Sequence, residues 1–245
     1  MPVPTATTKT TTAAQVTKYR RARRLNVVLG VVAVFLGVVV AAQSLQGQSP
    51  AAAPAQPDRT GEHDFVRRDA DDPMAIGAVD APVVLTQWTD LRCPYCALFA
   101  RKTLPTLIQE YVDTGKVRIE FHDVAFFGEH SEDAAVAARA AAAQGKFMEF
   151  ITAVYAAAPE RGHPDLPRET LITFAEKAGV PDMARFTADL DDPAIRDAAQ
   201  ASTREAQQIG VNSVPFFVAG DTALAGSQPI ETFRELIDTA AAKTE

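Results

Sequence analysis

Two cysteines separated by two residues, close behind a predicted strand, constrain the fold of this chain more than any other feature. The apolar, β-rich run Val83–Thr89 predicts a buried central strand. After three more residues, Cys93-Pro94-Tyr95-Cys96 is typical of the first turn of a helix, because proline fits the first helical position without losing a hydrogen bond. The sequence therefore predicts an α/β fold in which both cysteines lie where a central strand passes into a helix.

A helix N-terminus is a position that makes a cysteine reactive. Unpaired N–H groups and roughly half a positive charge at that end stabilise a thiolate. The pKa of such cysteines falls from about 8.5 into a range of about 3.5–7.5. A dithiol that prefers the reduced, ionised form makes its disulfide a strong oxidant. We therefore expect a redox-active pair, with Cys93 and Cys96 as catalytic residues and with Pro94 and Tyr95 tuning them.

Other uses of the cysteine pair fit the sequence less well. A zinc site needs about four ligands, and the four histidines of the chain are not at ligand spacing. Haem attachment requires a histidine directly after the second cysteine, where this chain has Ala97. An inert structural disulfide is the remaining alternative, although a disulfide across a two-residue gap closes a short loop and stabilises the fold little. We predict no metal site and no bound cofactor, because dithiol chemistry needs none.

The N-terminal part of the chain predicts export. Residues 25–42 carry no charged side chain, and a helix of that length covers roughly 27 Å, close to the hydrocarbon thickness of a bilayer. Six Lys and Arg side chains lie before this run and none of the acids does. The positive-inside rule then predicts a cytoplasmic tail over residues 1–24 and one transmembrane anchor over residues 25–42. A signal peptide cleaved after Val40-Ala41-Ala42 is the alternative, and it also places the rest of the chain outside the cytoplasm.

The remainder of the chain is acidic. Residues 43–62 begin with a proline-containing stretch that lacks a hydrophobic period, and they predict a flexible linker. Beyond residue 57 the chain carries 18 bases and 31 acids, which argues against nucleic acid as a partner. Residues 63–245 are long enough to form one domain with a buried core.

Outside the cysteine motif, the pattern of apolar residues predicts three further strands and a series of helices. The strands are residues 117–122, 215–218 and 222–225, and the helices occupy residues 131–209 and 229–242. Ser131 is the predicted N-cap of the first of these helices. The order predicts an α/β layer with a helical insertion over about residues 129–209.

Three separated segments carry a family resemblance. They are TDLRCPYCALFARKTLPTLIQEY, GKVRIEFHDVAFFGEHSEDAAVAARAAAAQGKFMEF and AQQIGVNSVPFFVAG. In this order they resemble the DsbA-like branch of the thioredoxin superfamily, and they look most like the membrane-anchored thiol–disulfide oxidoreductases of actinobacterial cell envelopes. The resemblance covers about residues 63–245. It implies a thioredoxin-like fold with a helical insertion, preceded here by one N-terminal transmembrane helix.

The resemblance also implies roles for individual residues. Cys93 would be the exposed nucleophile and Cys96 the buried resolving cysteine. The Val214-Pro215 bond would be cis, in a loop that offers the Val214 backbone to an extended substrate strand and keeps metals from the thiols. Without the resemblance, Pro215 is an ordinary edge-strand proline.

Two positions depart from the family pattern. Gln87 stands six residues before the first cysteine, where thioredoxin and the enteric DsbA have an acid that assists proton transfer at the resolving thiol. Glu120, His122, Asp123 or water then become the candidate acceptors of that proton. The Pro94-Tyr95 dipeptide resembles that of glutaredoxin and supplies no imidazolium, which predicts a less extreme redox potential.

Other residues near the motif receive less specific interpretations. Arg92 is expected to be solvated. Trp88 is either an aromatic side chain beside the disulfide, as is common in thioredoxin-like proteins, or a plain core residue. The four histidines are expected at the surface or in satisfied positions.

The expected function is disulfide exchange outside the cytoplasm. The enzyme would donate the Cys93–Cys96 disulfide to exported polypeptides with free thiols. The resemblance implies a quinone-linked membrane partner, DsbB-like or vitamin K epoxide reductase-like, that reoxidises it. A monomer is expected, because no dimerisation segment is evident. Two alternatives stay open: a membrane-anchored reductase or isomerase on the same scaffold, and a non-catalytic binding or chaperone module of the same fold.

Overall fold

A five-stranded mixed sheet runs through the part of the chain that the computed structural model describes, residues 63–244. Its strands are β1 (Ala75–Ile76), β2 (Val83–Thr89), β3 (Val117–Asp123), β4 (Phe216–Ala219) and β5 (Thr222–Ala225). Their order across the sheet is β1-β3-β2-β4-β5. Strands β2 and β3 are parallel, whereas the other neighbouring pairs are antiparallel.

The two central strands are buried along their whole length. All seven residues of β2 and all seven of β3 are buried, which is typical of parallel strands at the centre of a sheet, and this includes the polar side chains that alternate along β3. Their register pairs Val83 with Val117 and Thr89 with Asp123. The predicted strands are therefore confirmed, and the carboxyl ends of β2 and β3 meet at one edge of the sheet.

Eight α-helices surround the sheet within residues 63–244. They are α1 (Pro94–Lys102), α2 (Leu104–Leu107), α3 (Glu129–Ala142), α4 (Phe147–Ala157), α5 (Arg168–Lys177), α6 (Met183–Asp189), α7 (Pro193–Gln208) and α8 (Ile230–Ala241). A π-helical turn, Ile108–Val112, continues α2. Helices α3 to α7 follow one another between β3 and β4, where the sequence predicts a helical block. Helix α6 was not predicted individually; it is short and begins at Asp182, whose side chain accepts a hydrogen bond from the Arg185 N–H.

The predicted cap of α3 is wrong by three residues. The helix begins at Glu129, with Gly128 as its N-cap at φ 85°, so Ser131 lies inside the first turn. The Ser131 hydroxyl donates instead to a carboxylate oxygen of Asp90, at 3.0 Å. The Ser131 side chain thus bonds to a residue that is distant in sequence and does not cap the helix, although its local sequence predicts a cap.

The last hairpin and helix match the prediction closely. Strand β4 begins at Phe216 rather than at Pro215, and the turn at Gly220, with φ 53°, leads into β5. Helix α8 buries Phe233, Leu236 and Ile237 against the sheet and α1 core. The β4–β5 pair therefore forms one end of the sheet, and β4 lies directly beside β2.

The predicted tail, anchor and linker lie outside the described residues. They comprise residues 1–24, 25–42 and 43–62. Within residues 63–244, none of the helices combines the length and the apolar character that a membrane crossing requires.

Candidate active site

The cysteine motif forms the first turn of α1, just beyond the carboxyl end of β2. Cys93 is the N-cap residue, with an extended backbone at φ −78° and ψ 119°, and Pro94 is the first helical residue. The backbone N–H of Cys96 donates to the Cys93 sulfur at 3.4 Å. The sulfur thus occupies the place that a capping oxygen takes in other helices, where unpaired N–H groups point at it.

The Cys93 thiol has a pKa below its ordinary value. The largest cause is a hydrogen bond from the Cys96 side chain, and the backbone N–H groups of Cys96 and Tyr95 lower the pKa further. Burial and the charge of Asp90 act in the opposite direction. The thiolate is therefore stabilised first by the Cys96 thiol and then by the N–H groups of the turn that it caps, of which the sequence predicts the second.

Cys93 is less accessible than the family resemblance implies. Only 2% of the residue is exposed, so the expectation of an exposed nucleophile is wrong for this reduced, free-thiol form. The Cys93 thiol donates to the Val214 carbonyl at 3.4 Å, so the loop before β4 lies against the sulfur. A substrate thiolate must displace or pass this loop in order to reach it.

Cys96 lies deeper, with no exposed surface. Burial raises its pKa well above the ordinary value, and the neighbouring Cys93 raises it further. A hydrogen bond with the Thr89 side chain and one with the Asp90 backbone oppose that shift. The two thiols of one helical turn therefore have opposite acidities, with Cys93 as the nucleophile and Cys96 as the protonated partner.

The Val214-Pro215 bond is cis, as the resemblance implies. It immediately precedes β4, whose first residue, Phe216, pairs with Trp88 near the end of β2. The antiparallel pairing of β4 with β2 brings the loop to the edge of the sheet at which α1 begins. All six residues that the sequence singled out for the site are thus brought together: Cys93, Pro94, Tyr95, Cys96, Val214 and Pro215.

The outer surface of the site is apolar. Tyr95 is 63% exposed, and Leu98 lies one turn later on α1 with 38% exposed. Large exposed apolar side chains side by side on one helix face are typical of a contact surface rather than of a solvated one.

Asp90 is a buried carboxylate that the sequence analysis did not select. One oxygen accepts from the Arg92 N–H at 2.8 Å and from the Ser131 hydroxyl, and the other accepts from the Phe126 N–H at 2.8 Å. Burial raises its pKa despite these donors. The carboxylate ties the turn before Cys93 to the segment after β3. Its only signal in the sequence is an acid placed directly after a buried strand.

Arg92 is not solvated, which corrects the prediction. Its guanidinium donates to the carbonyls of Phe127, His163 and Pro164 and contacts the Asp165 carboxylate. In return, a ring nitrogen of His163 lies 3.1 Å from the Arg92 carbonyl, and its ring stacks on Phe127 with centroids 3.7 Å apart. We call these five residues the arginine clasp. It holds the loop between α4 and α5 beside the active-site turn.

Of the side chains proposed as proton acceptors for Cys96, Glu120 and Asp123 are engaged elsewhere, and His122 is a weak base. The carboxylate of Glu120 accepts from the Arg67 and Arg68 N–H groups at 2.8 Å each, and Asp123 accepts from the Arg139 guanidinium. Burial lowers the pKa of His122 to about 3.

Gln87 and Trp88 show which side chains line the two faces of β2. The Gln87 side chain is buried, and none of residues 63–244 donates a hydrogen bond to its Oε1 atom. Trp88 faces the other side of the sheet and packs with Phe65, His122 and Phe216. Trp88 is thus a core residue, and the partly buried Val214 packs against its cluster.

No metal site accompanies the thiols in the described part of the chain. No group of three or more His, Cys, Asp or Glu side chains among residues 63–244 is placed to hold an ion. The arrangement itself combines two thiols of unequal acidity, the Val214 carbonyl beside the outer one and the Thr89 side chain beside the inner one.

Comparison with known proteins places these features in a family. A family model described as Thioredoxin matches residues 69–239, which is more than half of the chain. A Bacillus anthracis protein named "Probable disulfide bond formation protein D" is 29% identical over 154 residues, which make up 61% of this chain and 71% of that protein.

Two crystal structures show the same fold. Oxidised BdbD from Bacillus subtilis aligns with a TM-score of 0.65 at 20% identity, over 70% of this chain and 94% of BdbD. The alpha-DsbA1 protein of Wolbachia pipientis aligns with a TM-score of 0.61 at 22% identity, over 70% of this chain and 92% of that one. With its cysteine pair at the helix start, the chain is a protein disulfide oxidoreductase that works by dithiol–disulfide exchange. It belongs to the thioredoxin family, with the fold of the DsbA-like proteins.

Proposed function

We propose that this enzyme donates its Cys93–Cys96 disulfide to exported polypeptides, outside the cytoplasm, while residues 25–42 anchor it in the membrane. The observation that carries the proposal is the position of the Cys93 sulfur at the N-terminal cap of α1, where it accepts from the Cys96 N–H and its pKa is lowered. A thiolate that is stable in the reduced enzyme makes the disulfide the less favoured state, and a disulfide of that kind passes to substrates. The charge asymmetry around residues 25–42 supports the location. The actinobacterial envelope type is proposed on the family resemblance alone.

The geometry supports a two-step exchange. A substrate thiolate attacks the Cys93 sulfur, a bond forms between those two sulfurs, and the Cys93–Cys96 bond breaks with its electron pair on Cys96. A second substrate thiolate then attacks the substrate sulfur of this mixed disulfide, and Cys93 leaves as a thiolate. Its low pKa makes it a good leaving group in that step.

The loop before β4 is the proposed substrate cradle. The Val214 carbonyl already lies 3.4 Å from the Cys93 sulfur, so an extended substrate that reaches this sulfur also comes within hydrogen-bonding range of the Val214 backbone. Such pairing by backbone groups accepts many sequences. The exposed Tyr95 and Leu98 add an apolar surface for substrate side chains.

The reduced enzyme must be reoxidised after each turnover. A membrane anchor would confine it with a quinone-linked oxidant of the DsbB or vitamin K epoxide reductase type, which we propose as its partner. The enzyme acts as a monomer in this proposal.

The redox potential tests the direction of exchange. The full chain in detergent is equilibrated with glutathione buffers, and the fraction of disulfide is read by acid quench and alkylation. A midpoint closer to about −120 mV, the value of DsbA, than to about −270 mV, the value of thioredoxin, is expected, and one near the thioredoxin value would overturn the oxidase assignment in favour of a reductase or isomerase.

Location is tested separately. A phosphatase that is active only outside the cytoplasm is fused to the C-terminus in cells. Phosphatase activity in the membrane fraction is expected, and an inactive fusion would contradict the topology. Activity released into the medium would instead favour the cleaved signal peptide.

A further inference from the structure

The reaction creates an anion on a buried sulfur atom. When a thiol attacks the Cys93 sulfur of the disulfide, the electron pair of the broken bond stays on Cys96, whose surface is fully buried. Burying an unpaired charge is costly, and position 87 offers an amide in place of an acid. Both oxygens of the nearby Asp90 carboxylate already accept hydrogen bonds from the loops around it. The buried Cys96 thiolate therefore needs a different partner.

Two buried hydroxyl groups lie in line with Cys96. Thr89 is the last residue of β2, and its Oγ1 atom is 2.5 Å from the hydroxyl oxygen of Tyr155, which reaches the site from α4. The Tyr155 hydroxyl also lies 3.4 Å from the Asp90 carbonyl. At the other end, a hydrogen bond with the Thr89 side chain lowers the pKa of the Cys96 thiol. The atoms form one chain: Asp90 carbonyl, Tyr155, Thr89, Cys96.

We propose that Thr89 and Tyr155 are positioning residues that stabilise the Cys96 thiolate through a reversible chain of hydroxyl hydrogen bonds. Each hydroxyl can both donate and accept. In the thiolate state, Tyr155 donates to Thr89 and Thr89 donates to the Cys96 sulfur. Once Cys96 is a thiol again, the Thr89 hydroxyl turns back to Tyr155, and Tyr155 donates to the Asp90 carbonyl. The same atoms serve both charge states by rotating two hydroxyl groups.

The charge of the anion stays on sulfur throughout. Burial raises the pKa of the Tyr155 phenol well above its ordinary value, so Tyr155 remains a donor and does not become a phenolate. Among residues 63–244, the titratable side chains whose interaction with Cys96 shifts a pKa are Cys93 on its own turn and Tyr155 on α4, whereas Asp90 hydrogen-bonds to Cys96 through its backbone. The proton that later returns to Cys96 comes from water, which balances the step.

The inference rests on dithiol–disulfide exchange and not on its direction. In the reverse step, the Cys96 thiolate attacks Cys93 of a mixed disulfide, the internal disulfide forms, and the substrate leaves as a thiolate. The hydroxyl chain stabilises the same anion in both directions. A failure of the oxidase assignment would therefore leave this inference standing.

The test is a single-turnover reaction of the full chain in detergent with oxidised glutathione. Acid quench and mass spectrometry separate the first step, attack by Cys93, from the second, resolution by Cys96. The variants are Thr89→Val, which keeps the shape but removes the hydroxyl, Thr89→Ser, which restores a hydroxyl, and Tyr155→Phe. Tyr111→Phe is the matched control, because Tyr111 is a buried tyrosine whose hydroxyl contacts Asp238 far along the chain.

Loss of one hydrogen bond to the thiolate should raise the Cys96 pKa by about one unit, so the thiolate fraction falls about tenfold. Part of this is offset because a more basic thiolate is a better nucleophile, with a Brønsted coefficient of about 0.4–0.5. We expect Thr89→Val to slow resolution about three- to fourfold and to move its pH profile upward, and Tyr155→Phe to slow it about twofold. Thr89→Ser and Tyr111→Phe should resolve at nearly the original rate.

The equilibrium constant provides the discriminating readout. At pH 7 Cys96 is protonated in the stable reduced enzyme of every variant, so the midpoint potential should stay constant while forward and reverse rates fall by the same factor. The Cys93 step should change by less than about twofold.

Three outcomes would overturn the inference: unchanged resolution in Thr89→Val, no recovery in Thr89→Ser, or equal slowing of the Cys93 step. If Thr89→Val does not fold, Tyr155→Phe decides alone, because it removes a single oxygen atom. An unchanged resolution rate in that variant would then refute the chain.

Discussion

The outer and inner ends of the cysteine turn differ more than their spacing suggests. At the outer end, the Cys93 sulfur is at the helix cap, where a hydrogen bond from the Cys96 thiol and then backbone N–H groups lower its pKa. At the inner end, three residues later, Cys96 enters the core, and burial raises its pKa. Within one helical turn, Cys93 is therefore the nucleophile and Cys96 stays protonated in the reduced enzyme. Distance from the helix end, rather than residue type, decides the chemistry.

Replacing each cysteine in turn should have the largest effect on disulfide exchange. Cys93→Ser should abolish exchange completely, because the inner thiol is protonated and buried. Cys96→Ser should keep the attack by Cys93 but leave it in mixed disulfides, since no resolving thiol follows. Both results are read by nonreducing electrophoresis with a model thiol substrate. Mixed disulfides in Cys93→Ser would show that the inner sulfur is the nucleophile.

The pH dependence of alkylation measures the difference in acidity between Cys93 and Cys96. The rate of reaction with iodoacetamide follows the thiolate fraction, which rises with pH until the thiol is ionised. Because the pKa of Cys93 is lowered, its rate should level off at a lower pH than that of free cysteine, whose pKa is about 8.5. Cys96 should stay unlabelled over the same range, as peptide mass mapping would show. A common profile for both residues would contradict the asymmetry.

Asp90→Asn tests the charge that opposes the Cys93 thiolate. Removing that charge should lower the Cys93 pKa further, because the carboxylate raises it. The amide can accept fewer of the three hydrogen bonds, so denaturant unfolding should show a loss of about 1–3 kcal/mol. Asp165→Asn is the control, because its side chain is 79% exposed and should change neither value. A Cys93 pKa that rises in Asp90→Asn would reverse the assigned sign.

Arg92→Ala should have the smallest effect on the thiols. The side chain precedes Cys93 but directs its charge into the arginine clasp. Hydrogen exchange should become faster in the loop between α4 and α5, while the alkylation profile of Cys93 stays in place. A clear upward shift of that profile would show that the guanidinium also supports the thiolate.

Sequence reasoning succeeded where the cause is local. The continuous apolar run of β2, the proline at the first helical position and the alternation of β3 are properties of neighbouring residues, and the structure confirms the elements that they predict. The position of Cys93 as the cap of α1 follows from the same short segment.

It failed where partners come from distant parts of the chain. Tyr155 meets Thr89 across 66 positions, and Arg92 finds carbonyl acceptors 35 to 72 positions away. Ser131 was assigned to a helix end because its local pattern fits one, yet a buried carboxylate 41 positions earlier takes its hydroxyl. Nothing in the spacing of such residues encodes the contact, because the packing of helices α3 to α7 creates it.

The antiparallel pairing of β4 with β2 has a consequence for the newly made protein. The Val214 carbonyl and the Cys93 sulfur touch across 121 positions of chain. During synthesis, the thiol pair leaves the ribosome long before the segment that carries Val214. A chain that is still being synthesised therefore carries both thiols but lacks the loop before β4 that lies against Cys93. The site is complete only after the β4–β5 hairpin has paired with β2.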